Sequence, residues 1–260
     1  MFFSSKRFPI PSHLLAGKKT VWANFGFWAD AKKQDYESAC SNLVDLHAMQ
    51  VPISSESEVL DISSGLGGSV HFLKEKYRLR KIDATDLHPW FDVTMCRKFY
   101  QLDLQKDIRN FKYTFLFPKN SYNFVLAVDC IYHCTSLHDV KIFLDFVLKP
   151  GGSAAFSMIC QTEGSVISVW EWALLRLLGI SKQMIQTRST WENEWERNSI
   201  FSKIDLQNIT PQVWGGYIQF CESHKTSSKS ILLSFVEKII RHFLKKGSLE
   251  YCLVVVHRND

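Results

Sequence analysis

Ser57-Glu58-Val59-Leu60-Asp61-Ile62-Ser63-Ser64-Gly65-Leu66-Gly67-Gly68-Ser69 decides how the rest of this chain is read. A short apolar run ends in an acid, the pattern of a buried strand that reaches the edge of a sheet. A turn of glycine and serine follows, and Val70, Phe72 and Leu73 then open a helix. Glycines let the backbone turn sharply and approach a ligand closely, and the new helix offers free N–H groups at its start. Asp61 stands beside that turn. The arrangement is that of a site for a nucleotide-type cofactor.

The dinucleotide pattern Gly-x-Gly-x-x-Gly requires a third glycine at residue 70, where the chain has Val70. The pattern acid-x-Gly-x-Gly-x-Gly fits better, with Asp61, Gly65 and Gly67 in register and Ser63 in place of the first glycine. On these residues the chain resembles the class I S-adenosylmethionine-dependent methyltransferases, nearest to the sterol, quinone and phosphoethanolamine group. Further along, Val147-Leu148-Lys149-Pro150-Gly151-Gly152 and the Asp129 to His133 stretch resemble the same family. The resemblance covers about residues 19 to 257. It implies an α/β fold, a Rossmann-like seven-stranded sheet with helices on both faces, and the last strand antiparallel between the fifth and sixth.

The 260 residues, 46% of them hydrophobic, are enough for one core with an extension. No apolar run is long enough to span a bilayer. The net charge of +5 is spread along the chain, which argues against nucleic acid as a partner. Seven cysteines without a Cys-x-x-Cys pair point to reduced thiols and a cytoplasmic protein, and no metal site is expected. Residues 1 to 29 carry Lys6, Arg7, Lys18 and Lys19 and, up to Asp30, no acid, the composition of a mitochondrial presequence. Pro9 and Pro11 oppose the helix such a signal needs.

A single domain is expected, in four parts. Residues 1–50 form an N-terminal cap with Trp22-Ala23-Asn24-Phe25-Gly26-Phe27-Trp28 and a helix from Tyr36 to Met49. Residues 51–160 form the cofactor-binding core, with strands at Lys81–Leu87, Lys98–Leu104, Tyr122–Asp129 and Ser153–Ile159. A short helix is expected to start at His88-Pro89-Trp90, and another runs from Leu137 to Leu148 into a Pro-Gly turn. Residues 161–200 form a lid insertion, with an apolar helix from Val166 to Leu178 and another around Trp191 and Trp195; contacts with the sheet would also explain these aromatics. Residues 201–260 hold strands at Ile204–Val213 and Tyr251–His257 and an amphipathic helix over 231–244. Its basic face makes that helix a candidate for membrane contact, with covering the sheet the preferred reading.

Asp86 falls 21 residues after Gly65 (86 − 65), the spacing of an acid that accepts ribose hydroxyl protons. The resemblance implies S-adenosyl-L-methionine as cofactor, held by Asp61, Ser63, Gly65, Gly67, Asp86, Leu87, Asp103, Leu104 and Asp129. Asp103 is expected at the adenine, with Asp107 its rival. His133 is the expected base, and Trp28, Tyr132 and Trp170 are expected to line the site of a small apolar or lipid-like acceptor. Methyl transfer needs alignment and desolvation more than a nucleophilic triad. A nicotinamide-dependent oxidoreductase is the rival reading, opposed by Val70 and by the lack of Tyr-x-x-x-Lys after the fourth strand. An inactive binding protein on the same fold is the other, resting on Ser63 and on Asn123 in place of a usual Asp.

Overall fold

The computed structural model describes residues 21–197, 200–223 and 231–260. The basic and proline positions before residue 20, on which the presequence reading rests, lie outside them. Seven strands form one sheet in the order β3-β2-β1-β4-β5-β7-β6. They are β1 (Glu58–Ile62), β2 (Lys81–Asp86), β3 (Lys98–Gln101), β4 (Tyr122–Ala127), β5 (Leu148–Gln161), β6 (Phe201–Asn208) and β7 (Leu249–Arg258). β1 lies between β2 and β4, parallel to both, with Leu60 opposite Asp83 on one side and Val125 on the other. Strands covered on both faces read as continuous apolar runs rather than alternating ones, which explains Val59-Leu60-Asp61-Ile62. β7 is antiparallel to both β5 and β6, as expected.

The helices among the described residues are α1 (Tyr36–Ala48), α2 (Gly68–Tyr77), α3 (Tyr113–Leu116), α4 (Leu137–Val147), α5 (Val169–Leu177), α6 (Arg188–Glu196), α7 (Gly216–Ser223) and α8 (Ile231–Lys246). Buried residues of α1, α2, α7 and α8 share one apolar cluster. Those of α3, α4 and α6 share the other. Val236, Ile239, Ile240 and Phe243 place the apolar face of α8 in the first of these, so this helix covers the sheet. Trp191 and Trp195 are fully buried, with Trp195 4.8 Å from the Phe201 ring and 6.4 Å from Phe156. Those two aromatics belong to the core rather than to a lid.

Several boundaries differ from expectation for local reasons. β6 stops at Asn208, where the side-chain oxygen takes both the Thr210 N–H at 2.9 Å and its hydroxyl at 2.6 Å. Pro211, which cannot donate to a ladder, then starts a turn of π-helix and α7 follows. The expected Pro-Gly turn is a bulge within β5, between the Tyr122–Leu148 and Phe124–Ser153 pairs. His88-Pro89-Trp90 is loop, and the short 3-10 turn comes later at Val93–Met95. β3 ends at Gln101, which leaves Asp103 in the following loop.

The end of the sheet where parallel strands begin is tied by charge. Asp83 is 2% exposed and accepts from Arg97 Nε and Nη2, each at 2.8 Å, and from the Tyr122 hydroxyl at 2.8 Å. Arg97 also reaches Glu58, which Lys149 Nζ holds at 2.6 Å. Asn123 accepts the Glu58 N–H at 2.9 Å. It therefore lies at the far end of β4 from the glycine turn, and its difference from the family's usual residue does not touch that turn. Arg97→Met leaves Asp83 buried with only a hydroxyl donor, and the expected loss is about 2–4 kcal/mol. Asp83→Asn in the same chain should recover part of it, measured as a double-mutant cycle by urea unfolding.

Candidate active site

The turn after β1 is left-handed at three positions, Ser63 (φ 55°), Gly65 (φ 56°) and Gly67 (φ 85°). A Cβ at Gly67 would meet the Phe91 ring at 2.6 Å, and one at Gly68 would meet the Trp22 ring at 2.7 Å. Ser63 occupies a backbone region that costs a residue with a Cβ about 1–2 kcal/mol. β2 holds it there: Thr85 Oγ1 accepts the Ser63 N–H at 3.2 Å, and the Thr85 carbonyl accepts the Ser64 N–H at 2.9 Å. The serine thus adopts the glycine conformation. Ser63 is a strained substitute, not a broken turn.

Three acids gather at the adjacent strand ends. Asp86 closes β2, and its Oδ2 accepts the Gly65 N–H at 2.9 Å. Its Oδ1 accepts from the Leu87 N–H at 2.7 Å and from Trp90 Nε1 at 2.9 Å. Burial raises its pKa against these bonds. Asp61 is 2% exposed and accepts from the Ser69 hydroxyl in the first turn of α2. Burial chiefly, with the charge of Asp86, raises its pKa to about 7. Asp129 follows β4 with φ 58°. It accepts the Phe25 N–H at 2.7 Å, the Tyr132 hydroxyl at 3.3 Å and the Tyr251 hydroxyl. Burial raises its pKa to about 6, and the three bonds oppose that shift. The Cys130 thiol donates to the Ile62 carbonyl at 3.4 Å, which brings the ends of β1 and β4 together.

His133 ends a 3-10 turn beyond Asp129, and its Nδ1 lies 3.3 Å from the Gly179 carbonyl. A carbonyl only accepts, so Nδ1 carries the proton and the lone pair is on Nε2. Burial lowers its pKa, against the bond to Gly179, and so favours the neutral ring. Gln105 Nε2 donates to the same carbonyl at 3.0 Å, and the Ser181 hydroxyl donates to the Thr135 carbonyl at 2.9 Å. The segment after α5 is therefore fastened to the loops that carry His133.

The remaining expected residues are placed unevenly. The Asp103 carboxylate caps its own loop, accepting from the N–H groups of Gln105 and Lys106 at 3.0 and 3.1 Å. Leu104 is buried in the second cluster, and Leu87 is 39% exposed. Tyr132 is buried against His133, with ring centroids 4.7 Å apart. Trp28 stacks on Phe220 at 4.7 Å and donates to the Phe25 carbonyl at 2.9 Å. It lines a hollow of about 420 Å³ with Asp30, Lys32, Pro211 and Gln219, which shares none of its lining with Asp61, Asp86 or His133. Trp170 is 54% exposed and packs on His242. An acceptor-lining role for Trp28 and Trp170 does not match these positions, because one ring serves packing and the other faces out. Sequence reading missed Trp90, Thr85 and Tyr251, whose roles depend on contacts distant in sequence; only Trp90, four residues after Asp86, lay within reach of inspection.

No family model matches the chain. A phosphoethanolamine N-methyltransferase of Plasmodium falciparum (isolate 3D7) is 27% identical over 123 residues, 44% of this chain and 43% of that enzyme. The match therefore spans less than half the length of that relative. Geranyl diphosphate C-methyltransferase from Streptomyces coelicolor A3(2), solved with Mg2+, geranyl diphosphate and S-adenosyl-L-homocysteine, superposes with a TM-score of 0.67 at 15% identity, covering 91% of each chain. Phosphoethanolamine N-methyltransferase 2 of Haemonchus contortus, solved with S-adenosyl-L-methionine, gives 0.64 at 15% identity over 86% of this chain and 53% of that one. The fold is that of the small-molecule methyltransferases. The [4+2]-cyclase SpnF superposes equally well, with a TM-score of 0.68 at 14% identity over 94% and 90% of the two chains. A fold alone thus does not fix the reaction.

Asp61 and Asp129 each keep a proton in the folded protein at pH values where the unfolded chain has lost it. Their contribution to stability is present at low pH and is lost as pH rises from about 4 to about 7. Asp61→Asn keeps an acceptor for Ser69 and removes its share of that loss. The variant should gain on the wild type by a few kcal/mol, roughly, between pH 5 and pH 8. Urea midpoints at the two pH values check this; an unchanged difference would place the Asp61 pKa near its ordinary value.

Proposed function

We propose that the protein is an S-adenosylmethionine-dependent methyltransferase acting on a small, apolar or lipid-like acceptor. The observation that carries the reading is the Asp86 carboxylate, bonded to the Gly65 N–H inside the left-handed turn between β1 and α2. The chemistry of the donor set fits that cofactor. Asp86 accepts from the Gly65 N–H at Oδ2 and from the Leu87 N–H and Trp90 Nε1 at Oδ1, with the His88 backbone a further donor, so the carboxylate is oriented as an acceptor beside the glycine turn. Asp61 and Asp129 add acids where a sulfonium and an ammonium group need them.

S-adenosylmethionine, when bound, supplies an electrophilic methyl group on a positively charged sulfur. Asp86 would hold its ribose, and Asp61 and the glycine turn its amino-acid end. Asp103 and the Leu87 and Leu104 backbones are assigned to the adenine side. His133 is the proposed base: burial favours its neutral form, its Nδ1 is committed to Gly179, and Nε2 is left to take a proton from the acceptor. Tyr132 would orient the acceptor beside it. Ser63 supports activity rather than its loss, because the turn keeps its shape. The acceptors named in the relatives, phosphoethanolamine and geranyl diphosphate, are small molecules. The seven cysteines are all buried free thiols, which supports a reducing, cytoplasmic setting. No helix among the described residues is long and apolar enough to cross a membrane.

Calorimetric titration tests the reading. S-adenosylmethionine and its demethylated product should bind in the micromolar range, about −8 kcal/mol. Asp86→Ala should weaken both by about 1.5–3 kcal/mol. Binding of a nicotinamide dinucleotide, with neither sulfur compound bound, would overturn the assignment. His133→Ala should lower methyl transfer to an oxygen acceptor by roughly 10²–10⁴-fold with cofactor affinity unchanged, as a base should.

A further inference from the structure

The helix α5 buries its acid and leaves part of its apolar surface outside. Its one acid, Glu171, is fully buried, while Val169 is 88% exposed, Trp170 54% and Leu177 44%. Val166, just before the helix, is 73% exposed. At 100° per residue Val169, Trp170, Ala173, Arg176 and Leu177 fall within one arc of about 120°. Glu171, Leu175 and Leu178 lie on the opposite side, where Leu175 and Leu178 join the core.

A clamp fixes this orientation. Lys246 Nζ donates to both Glu171 oxygens, at 2.8 and 2.6 Å, and to the Val166 carbonyl at 2.7 Å. His242 Nε2 lies 2.7 Å from Glu171 Oε1, and the Ser168 N–H and hydroxyl complete the set at 2.7 and 2.6 Å. These bonds hold the Glu171 pKa down to about 2 despite burial. A carboxylate so held cannot roll outward, so the apolar side of α5 stays in solvent. Exposed apolar residues scattered singly need no explanation, but a held face of them does.

Basic side chains flank that face. Arg176 is on it, exposed, and Lys182 lies over the Trp172 ring at 5.3 Å just beyond its end. Lys246 of the clamp lies at its start, and Lys245, next to it in the chain, is exposed. Glu171 is neutralised in the clamp and Glu237 pairs with Arg241, while Glu163, which accepts from the Ser189 hydroxyl, keeps its charge. An apolar strip containing a tryptophan and bordered by cations at both ends is complementary to a surface that is apolar inside and negative at its edge. We propose that the outer face of α5 docks on an anionic lipid bilayer. The contact differs from one through α8, whose apolar face is already packed, and it does not depend on the methyl-transfer reading.

Co-sedimentation of the full chain with phosphatidylcholine vesicles containing about 30% phosphatidylserine tests this, against vesicles of phosphatidylcholine alone. Binding to the anionic vesicles is expected, at least about tenfold tighter than to the neutral ones. Val166→Ser with Val169→Asp, whose exposed side chains take no part in the clamp, should weaken it by about tenfold or more. Arg176→Glu with Lys182→Glu should do the same by removing charge. Sedimentation velocity and circular dichroism confirm that the variants are folded. Failure to bind anionic vesicles, or undiminished binding by the folded variants, overturns the proposal. A dimer that the Val166/Val169 variant abolishes, without vesicle binding, assigns the face to a second copy instead.

Discussion

The Asp129 carboxylate is the junction on which the upper end of this molecule depends. It takes the Phe25 N–H from the segment before α1, the Tyr132 hydroxyl from the turn after β4, and the Tyr251 hydroxyl from β7. Three elements far apart in sequence therefore share one acceptor. Its own backbone is left-handed, a conformation uncommon for a residue with a Cβ. Without it the aromatic segment from Trp22 to Trp28 would keep its packing but lose its anchor to the strand ends. The cap, the turn carrying His133 and the antiparallel strand are in this sense one assembly.

What the sequence made legible was local. The apolar run before Asp61, the glycine turn, the spacing to Asp86 and the alternation of strand and helix are all carried by residues near one another. The sheet order and antiparallel β7 followed from family resemblance, since no local pattern states which strands pair. The misses share a cause. The end of β6 depended on whether Asn208 would turn back on Thr210 or continue the ladder, and both fit the same apolar spacing. Trp28 and Trp170 carry no mark of which way they face; Phe220 and His242 decide that, from elements about 190 and 70 residues away (220 − 28 = 192; 242 − 170 = 72). Asn123 counted as a departure that favoured an inactive protein, but it lies at the end of the strand opposite the glycine turn.

The insertion after β5 does two kinds of work. α6 fills the core through Trp191 and Trp195. The segment after α5 instead sets chemistry, because the Gly179 carbonyl selects the tautomer of His133. Gln105 and Ser181 hold that carbonyl and its neighbours in place from the loops around it. Any displacement of α5 that withdraws Gly179 also frees Nδ1, and the free ring has no reason to keep its lone pair on Nε2. The position of this helix is thus coupled to the protonation geometry of the proposed base, through one hydrogen bond that packing alone would not require.

Polar groups at the two ends of the sheet are handled in opposite ways. Where the parallel strands begin, Asp83 and Glu58 are buried or half-buried and matched with Arg97 and Lys149, so their charge is neutralised within the fold. Where they end, Asp61, Asp86 and Asp129 are bonded to hydroxyl and N–H donors and, among the described residues, to no cation, and burial raises the pKa of each. Hydrogen bonds soften the cost of a buried negative charge without cancelling it. A positive charge arriving between these strand ends would cancel it, and the fold would gain what the acids had withheld. That electrostatic deficit is the physical reason to expect a cationic ligand there, and it follows from the placement of three carboxylates rather than from resemblance.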